Sequence, residues 1–300
     1  MPSSPTARYQ IPADACDCHV HVFDPQRFPY VAGRTYTPGP ASVDELLAFG
    51  RRIGVGRYVV VQPSVYGTDN GCLLAALRRL GERARGVAVI DAERTPEREL
   101  DALSAAGVRS VRINLHTQRQ RDPAAAARLL AATAGRVAPW GWSIQVYAGL
   151  EVIAALQDQI LRLPVPLVID HFGGASAAVG TGQAGLAALL ELLRSGRVYL
   201  KLSAPYRSSQ RAPGYDDLAG IARAFIDAAP ERLVWASDWP HTGGGAASAR
   251  RRPDPDSDGI EPFRQVDVPH VLSALADWCR DIGTWRRILV DNPATLYDFS

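Results

Sequence analysis

Lysine is nearly absent from this chain. Lys and Arg together number 33 in 300 residues, and Lys201 is the only lysine, so almost every positive charge is an arginine. Genome base composition explains such a bias without any functional role. The formal net charge is only +2, too small to indicate the electrostatic surface that binds nucleic acids or membranes. The sequence therefore predicts neither kind of partner.

Cysteine is also scarce. The four cysteines lack the paired spacing of zinc-binding motifs and the density of disulfide-stabilised secreted domains. No apolar run approaches the ~18 residues needed to cross a membrane, and no apolar segment of the signal-peptide type stands near the N-terminus. We therefore expect a protein of a reduced, cytoplasmic compartment without a membrane span.

Short apolar stretches rich in β-branched residues alternate with helical patterns along most of the chain. Apolar residues make up 47% and charged residues 21%, which is ordinary for a globular protein. The predicted strands are 15–22, 57–63, 86–91, 108–114, 143–147, 166–171, 198–203 and 233–238. Buried strands separated by helices indicate a parallel sheet covered on both faces. Eight of them predict an α/β fold with one domain over 1–300, a (β/α)₈ TIM barrel.

A doubly wound open sheet is the alternative architecture. Such sheets carry a glycine-rich phosphate loop after the first strand, where this chain has His19 and His21. Outside the alternating pattern, the polar segment 1–13 predicts a loose N-terminal arm. Residues 242–267 contain three consecutive glycines and follow the last strand, so we expect them to form an active-site lid.

A histidine pair ends the first predicted strand. His19 and His21 are two residues apart, so a strand turns both side chains to the same face. Two imidazoles at this spacing can converge on one atom, either a metal ion or a carbonyl oxygen. The alternative is a strand whose two histidines merely face solvent. The residues at the ends of the other strands help to decide between these two interpretations.

The other strands also end in polar residues. Catalytic groups in (β/α)₈ barrels lie at the carboxyl ends of the strands, and here His171 ends the sixth strand and Asp238 the eighth. Further polar residues at or just beyond strand ends are Gln62, Ser64, Arg112, Asn114, His116, Gln145, Tyr147, Lys201, Ser203, Arg207 and His241. Without a shared role, these polar residues would be expected on helices and loops as often as at strand ends. We interpret this rim as a functional site.

Four motifs in this order resemble the amidohydrolase superfamily. The motifs are Asp17–His21, Ile169–His171, Trp235–His241 and Asp291–Tyr297, with added similarity at Tyr36–Pro38 and Lys201–Arg207. The sequence is most similar to the amidohydrolase-related branch of lactone hydrolases that includes the 2-pyrone-4,6-dicarboxylate lactonases and the sugar lactonases. The resemblance runs from the first strand to the C-terminal helix. It implies a distorted barrel that hydrolyses a carbonyl compound, commonly a lactone.

The chain departs from the metal-binding members of this superfamily on two strands. Members with two metals have a bridging Lys or Glu on strand four and a His on strand five, where this chain has Arg112 and Gln145. A binuclear site is therefore not expected. The resemblance to the pyrone lactonases implies a hydrolase that works without metal or other cofactor. The alternative is a zinc-dependent hydrolase or decarboxylase with a single Zn²⁺ on His19, His21, His171 and Asp238.

Metal-free hydrolysis of a lactone needs a base for the attacking water, stabilisation of the oxyanion and an acid for the leaving oxygen. Asp238 is the candidate base, with a turn-capping structural Asp as the alternative. The candidate groups that polarise the carbonyl and protonate the leaving oxygen are His19, His21 and His171. These imidazoles need no zinc if one of them donates a hydrogen bond.

Arginines on the same rim predict an anionic substrate. Arg112 and Arg207 are the first candidates for binding a carboxylate, and Arg119 and Arg121 are the second. The remaining candidate substrate-binding residues are Tyr36, Ser64, Tyr147 and His241. A pyrone dicarboxylate, a muconolactone or an aldonolactone fits this prediction. Isomerisation of a sugar lactone and ligand binding without catalysis are the alternatives.

Overall fold

The computed structural model describes residues 8–115, 122–243 and 259–299, which fold into a barrel of parallel strands covered by helices. All eight strands belong to one sheet, and their order in space is their order in the sequence. The strands are β1 (Cys16–Val20), β2 (Arg57–Val61), β3 (Ala84–Ala88), β4 (Val108–Asn114), β5 (Ser143–Tyr147), β6 (Leu167–Ile169), β7 (Val198–Ser203) and β8 (Leu233–Ala236). This order confirms the predicted barrel, because a doubly wound sheet places later strands on both sides of the first.

Helices separate the strands and cover the barrel. They are α1 (Val43–Ile53), α2 (Gly71–Leu80), α3 (Glu97–Ala105), α4 (Pro123–Val137), α5 (Leu150–Ala155), α6 (Gln157–Leu161), α7 (Leu186–Arg194) and α8 (Ala219–Ala228). After β8 come α9 (Val268–Trp278), α10 (Ile282–Arg286), a π-helical segment (Arg287–Asp291) and α11 (Asn292–Tyr297). Within the described ranges, no helix combines the length and the apolar character needed to cross a bilayer.

The first and last strands meet at the carboxyl-terminal rim. The amide of His21 donates a hydrogen bond to the carbonyl oxygen of Trp239 at 2.8 Å, and the amide of Asp238 donates to the carbonyl oxygen of His19 at 3.1 Å. These two bonds place the end of β1 directly beside the turn that follows β8. The barrel therefore closes at the point where the histidine pair and Asp238 lie.

β1 contains one residue more than its partner strand over the same length. Asp17 pairs with Tyr58 and Val20 with Val60, so the register shifts within β1. A bulge of this kind changes the direction of the side chains that follow it. Cys18 therefore joins the apolar cluster inside the barrel, while the next residue, His19, also reaches the interior and contacts Lys201.

The amino-terminal end of the barrel is filled by apolar side chains. Tyr297 and Phe299 of the C-terminal segment pack into the cluster formed by the inward-facing strand residues. Arg85 holds this segment in place by donating to the carbonyl oxygen of Asp298 at 3.1 and 2.7 Å. All four cysteines of the chain are buried and free, as their spacing predicts.

Five strands, β1, β2, β3, β6 and β8, end two or three residues earlier than predicted, and for two of them this affects the candidate site. β6 ends at Ile169 and β8 at Ala236, so His171 and Asp238 lie in the turns that follow, with φ of 52° and 64°. Non-glycine residues rarely adopt this left-handed conformation, and it interrupts the strand ladder. Strained backbone of this kind clusters at functional sites, because the surrounding structure must hold it in place.

Parts of two predicted segments lie outside the described residues. These are 1–7 of the expected arm and 244–258 of the expected lid. Farther along the arm, the indole nitrogen of Trp285 donates to the carbonyl oxygen of Gln10 at 3.0 Å, and the Tyr9 ring lies 6.1 Å from the Trp285 ring.

Candidate active site

Asp238 lies at the centre of the three predicted histidines. Its Oδ1 atom is 3.5 Å from His19 Nε2, 3.7 Å from His21 Nε2 and 4.0 Å from His171 Nε2. All four side chains are buried, with exposed fractions of at most 4%. The structure thus brings together three strand ends that are far apart in the sequence.

The second oxygen of Asp238 is held by two donors from the turn after β7. Tyr206 Oη donates to Oδ2 at 2.6 Å and Arg207 Nη2 donates to it at 3.0 Å. The carboxylate is therefore asymmetric: Oδ2 is occupied and Oδ1 faces the histidines. Tyr206 was not predicted as a site residue, and only its position beside Arg207 at a strand end could have indicated it.

Asp238 is a carboxylate in this environment. Burial alone would raise its pKa, but the charged guanidinium of Arg207 opposes that effect, as do the facing histidines when they are protonated, so the pKa lies well below the usual value of an aspartate. A buried carboxylate needs such partners to remain charged.

The histidines around Asp238 are neutral. Burial lowers the pKa of His21 and of His171 to about 4, and it lowers that of His19 well below its usual value. Two of the rings are oriented by hydrogen bonds, from His21 Nδ1 to the carbonyl oxygen of Val61 at 2.7 Å and between His171 Nδ1 and Ser203 Oγ at 2.8 Å. Neutral imidazoles can donate or accept a proton at the atom that faces Asp238.

A second buried group lies behind His19. Lys201 is fully buried, and its Nζ atom is 2.6 Å from Gln145 Oε1, 3.3 Å from His19 Nδ1 and 3.4 Å from Asp170 Oδ1. Gln145 Nε2 donates to the other oxygen of Asp170 at 2.9 Å. The sequence placed Lys201 and Gln145 at strand ends, but it assigned no role to either residue or to Asp170.

The predicted substrate arginines approach the site from two sides. Arg207 lies over the ring of Tyr147 at 5.7 Å, and that ring packs edge-on against His171 at 5.0 Å. Arg112 donates from Nη1 to the carbonyl oxygen of Gln62 at 3.4 Å. The Nε atoms of both arginines are buried without a hydrogen-bond partner among the described residues. Each guanidinium therefore has one donor that no described residue satisfies.

The remaining predicted binding residues lie near Arg112 on one side and near Tyr206 on the other. Arg112 and Ser64 line a cavity of about 180 Å³ at the ends of β2 and β4. Burial raises the pKa of Tyr36, which the nearby Arg112 and a hydrogen bond with Ser64 partly offset. His241 is buried behind Tyr206, with a ring distance of 6.4 Å, and burial lowers its pKa to about 4. A larger groove of about 620 Å³ lies elsewhere, between the loop after β1 and helices α1 and α2.

Three of the polar residues noted after strand four cannot be placed relative to these side chains. His116, Arg119 and Arg121 lie outside the described residues.

Two groups of buried residues have the spacing of metal ligands. They are His19, Asp170 and His171, and His19, His21 and Asp238, with the ligand atoms of each group within 4.8 Å of one another. Both groups need a nitrogen of His19 that carries no proton and has no other partner. However, Nδ1 of His19 is 3.3 Å from Lys201 Nζ, and Nε2 is 3.2 Å from His21 Nε2. With Lys201 as donor to Nδ1, Nε2 of His19 carries the proton that it shares with His21 Nε2, and in that tautomer the arrangement does not fit a metal ion.

Comparison with known proteins agrees with the fold. Residues 16–299 match the model of the amidohydrolase family. A 4-sulfomuconolactone hydrolase from Rhizobium radiobacter is 33% identical over 295 residues, 96% of this chain and 91% of that protein. A 2-pyrone-4,6-dicarboxylate hydrolase from Comamonas testosteroni is 33% identical over 306 residues, 99% of this chain and 93% of that protein.

A solved structure from Agrobacterium tumefaciens extends this similarity to three dimensions. It is 26% identical to this chain, with a TM-score of 0.79, and the match covers 98% of this chain and 99% of that one. The family match and both relatives span nearly the whole barrel, including every strand that contributes to the rim. The chain belongs to the amidohydrolase family.

Proposed function

We propose that this protein is a hydrolase that opens the ring of a small anionic lactone. The observation that carries the proposal is the Asp238 carboxylate, with Oδ1 turned toward three neutral imidazoles and Oδ2 held by Arg207. A general base needs a free acceptor atom near the reacting water, and the carbonyl needs nearby donors. Two similar proteins are named as hydrolases of lactones, and both names denote anionic compounds.

The reaction follows from this geometry. A water molecule at Oδ1 of Asp238 attacks the lactone carbonyl carbon and gives its proton to that oxygen. Imidazole N–H groups of the histidine cluster stabilise the negative charge that develops on the carbonyl oxygen. The ring C–O bond then breaks, and the leaving oxygen takes the proton from Asp238 through the adjacent imidazoles. The product is a hydroxy acid or its keto tautomer, and Asp238 is again a carboxylate.

Arg207 connects substrate binding to the strength of the base. In the free protein, the ion pair with Arg207 helps to keep the pKa of Asp238 low, which makes the carboxylate a weak base. A substrate carboxylate that binds Arg207 competes for the same guanidinium. The pKa of Asp238 then rises toward the range in which it accepts a proton effectively. An anionic substrate thus activates the base that acts on it.

We propose further that the reaction needs no metal. The positive potential comes from Arg112 and Arg207, and the hydrogen bonds to the oxyanion come from the histidines. This assignment rests on the engaged nitrogens of His19 described above. A zinc-dependent hydrolase or decarboxylase of the same family is the alternative.

A panel of lactones tests the proposal. Purified protein is incubated at neutral pH with carboxylated, sulfonated and neutral lactones, with and without a chelator, and the products are identified by mass and NMR. We expect ring opening of an anionic lactone with the gain of one water, at a rate that chelation leaves unchanged. Complete loss of activity on chelation, with recovery on added Zn²⁺, contradicts the metal-free reaction.

Product analysis separates the other outcomes. A product of unchanged mass identifies an isomerase, and loss of CO₂ identifies a decarboxylase. Saturable binding of an anionic lactone without any product identifies a ligand-binding barrel and contradicts hydrolysis.

A further inference from the structure

The only lysine of the chain is fully buried beneath the histidine cluster. Arginine has replaced lysine at every other basic position, yet the interior position on β7 holds Lys201. Lysine is almost never fully buried unless it is paired. The cost of desolvating this charge indicates that the residue acts on its neighbours.

The contacts of Lys201 define the direction of one hydrogen bond. A protonated amine has three donors and no acceptor. Burial lowers the pKa of Lys201, and the adjacent Asp170 carboxylate, with Oδ1 at 3.4 Å, opposes that effect and favours the protonated form. The contact of 3.3 Å between Lys201 Nζ and His19 Nδ1 therefore has the lysine as donor. Asp170 Oδ1 also lies 3.3 Å from His19 Nδ1, but it has no hydrogen bond of acceptable geometry among the described residues. Nδ1 of His19 is thus the acceptor, and the ring proton lies on Nε2.

The contact of Nε2, on the opposite side of the His19 ring, independently indicates the same tautomer. His21 Nδ1 is 2.7 Å from the carbonyl oxygen of Val61, which can only accept, so the proton of the neutral His21 ring lies on Nδ1. Nε2 of His21 is then bare. Since the two Nε2 atoms are 3.2 Å apart, the proton between them must belong to His19. The hydrogen bonds run in one direction, from Lys201 through His19 and His21 to the backbone of β2.

We propose that Lys201 is a positioning residue that holds His19 as the Nε2–H tautomer. The proton that His19 shares with His21 Nε2 then lies at the centre of the site, in place of the lone pair that a metal ion would need. Asp170 and Gln145 hold the amine of Lys201 in place. The catalytic consequence, donation to the lactone oxyanion, rests on the proposed function, but the tautomer itself does not.

The proposal predicts what happens when the amine is removed. Without a donor at Nδ1, the His19 ring can transfer its proton to that atom and donate to Asp170 Oδ1, which is 3.3 Å away. Nε2 then becomes a bare nitrogen beside His21 Nε2 and Asp238 Oδ1, within the ligand spacing noted above. Two histidines and a carboxylate are a common ligand set for zinc. Loss of Lys201 should therefore create a metal site.

The experiment reads the tautomer directly. Protein labelled with ¹⁵N-histidine is examined by NMR, in which protonated and bare ring nitrogens have well separated shifts, and a His19→Gln variant assigns the His19 signals. In the wild type we expect Nε2–H for His19. In Lys201→Met we expect the proton of His19 on Nδ1. We also expect this variant to bind one equivalent of Zn²⁺, roughly 10- to 100-fold more tightly than the wild type. Elemental analysis and titration calorimetry measure the zinc.

A matched control separates this effect from general loss of packing. Gln145→Met also removes a buried hydrogen bond to Lys201 but leaves the lysine beside His19. It should keep the Nε2–H tautomer and the weak zinc binding of the wild type. If Lys201→Met does not fold, Lys201→Leu is the second lysine variant, and the tautomer of His19 in the wild type tests the proposal without either of them.

The outcomes are distinct from those of the lactone panel. An Nδ1–H signal for His19 in the wild type overturns the proposal, whether or not the protein opens lactones. An Nε2–H signal that persists in the lysine variants also overturns it, because another group then sets the tautomer. An Nε2–H His19 in a protein that opens no lactone contradicts the proposed function alone.

Discussion

Arg207 and Asp238 form an ion pair at 3.0 Å that occupies one carboxylate oxygen and leaves the other facing the histidines. The aspartate is almost fully buried, whereas the side chain of Arg207 is 21% exposed. The arginine is therefore more accessible to a ligand than the carboxylate is. This asymmetry makes Arg207 the point at which the charge of a substrate can influence the base.

Arg207 and Arg112 should differ in their effect on the pH profile. Replacing either with Met removes a charged hydrogen bond to the substrate, worth ~1.5–3 kcal/mol, so KM for a carboxylated lactone should rise by about one to two decades. Arg207→Met also removes a charge that lowers the pKa of Asp238. The acid limb of kcat/KM should therefore move to higher pH in Arg207→Met.

Arg112→Met serves as the matched control for that shift. Arg112 donates to the backbone of Gln62 and makes no contact with Asp238 among the described residues. The acid limb of kcat/KM for Arg112→Met should coincide with that of the wild type. Equal losses on carboxylated and neutral lactones would show that the arginines maintain structure and do not bind the substrate.

Lys201 and Asp170 should show strong coupling in stability. Removal of one partner from a buried ion pair leaves an uncompensated charge and costs about 3–5 kcal/mol in the free energy of unfolding. Lys201→Met alone should therefore be strongly destabilised, and Asp170→Asn in the same protein should restore part of the loss. A double-mutant cycle by urea unfolding measures the coupling. Additive losses would mean that the two side chains do not form a pair.

The sequence predicted the fold because the barrel obeys local rules. Apolar, β-branched strands alternate with helices, and that pattern alone indicates the order of the sheet. The rule that catalytic groups lie at strand ends selected His19, His171 and Asp238, and the structure places both histidines within 4.0 Å of the Asp238 carboxylate. Composition and spacing were sufficient for this part of the site.

Other parts of the site depend on tertiary structure that no local rule indicates. The bulge in β1, which lets both Cys18 and His19 point inward, arises from pairing with β2. A lysine is expected at the surface, so the buried position of Lys201 could not be read from its residue type. Tyr206 looks like a packing residue until its hydroxyl is seen 2.6 Å from Asp238.

Asp17 should make stability depend on pH. Burial raises its pKa to about 7, although the amides of Ser237 and His19 donate to Oδ1 at 2.9 and 3.3 Å. The folded state then binds a proton that the unfolded state has released, so stability falls as pH rises from about 4 to about 7. At about 1.36 kcal/mol for each pKa unit, the effect reaches roughly 4 kcal/mol.

The variant Asp17→Asn removes this dependence. The amide oxygen can keep both backbone hydrogen bonds, and the neutral side chain avoids the burial of a charge. Thermal unfolding should therefore show a variant that is more stable than the wild type by about 1.5 kcal/mol at pH 5 and by roughly 4 kcal/mol at pH 8. A variant that is less stable than the wild type at pH 8 would mean that the charged form of Asp17 is stabilised in the folded protein.

Asp238→Asn is the most direct test of the mechanism. The amide keeps the shape of the side chain and can accept a hydrogen bond from Arg207 or Tyr206, but it cannot take a proton from water. We expect kcat to fall by roughly 10²–10⁴ while the protein remains folded and still binds the lactone. In the wild type, the rate should fall at acid pH as Asp238 is protonated. Because its pKa lies below the usual value, that limb should lie at low pH, and it should be absent from the variant.

Tyr206→Phe provides the control, since it removes one donor from the same carboxylate and leaves the proton acceptor intact. Its kcat should fall only about tenfold, with the acid limb preserved. An Asp238 that only caps the turn after β8 would behave differently. Asp238→Asn would then lower the melting temperature, and the remaining activity would follow the folded fraction. Measured together, kcat and thermal stability of these two variants distinguish the roles, and a folded Asp238→Asn protein with wild-type kcat would rule out Asp238 as the base.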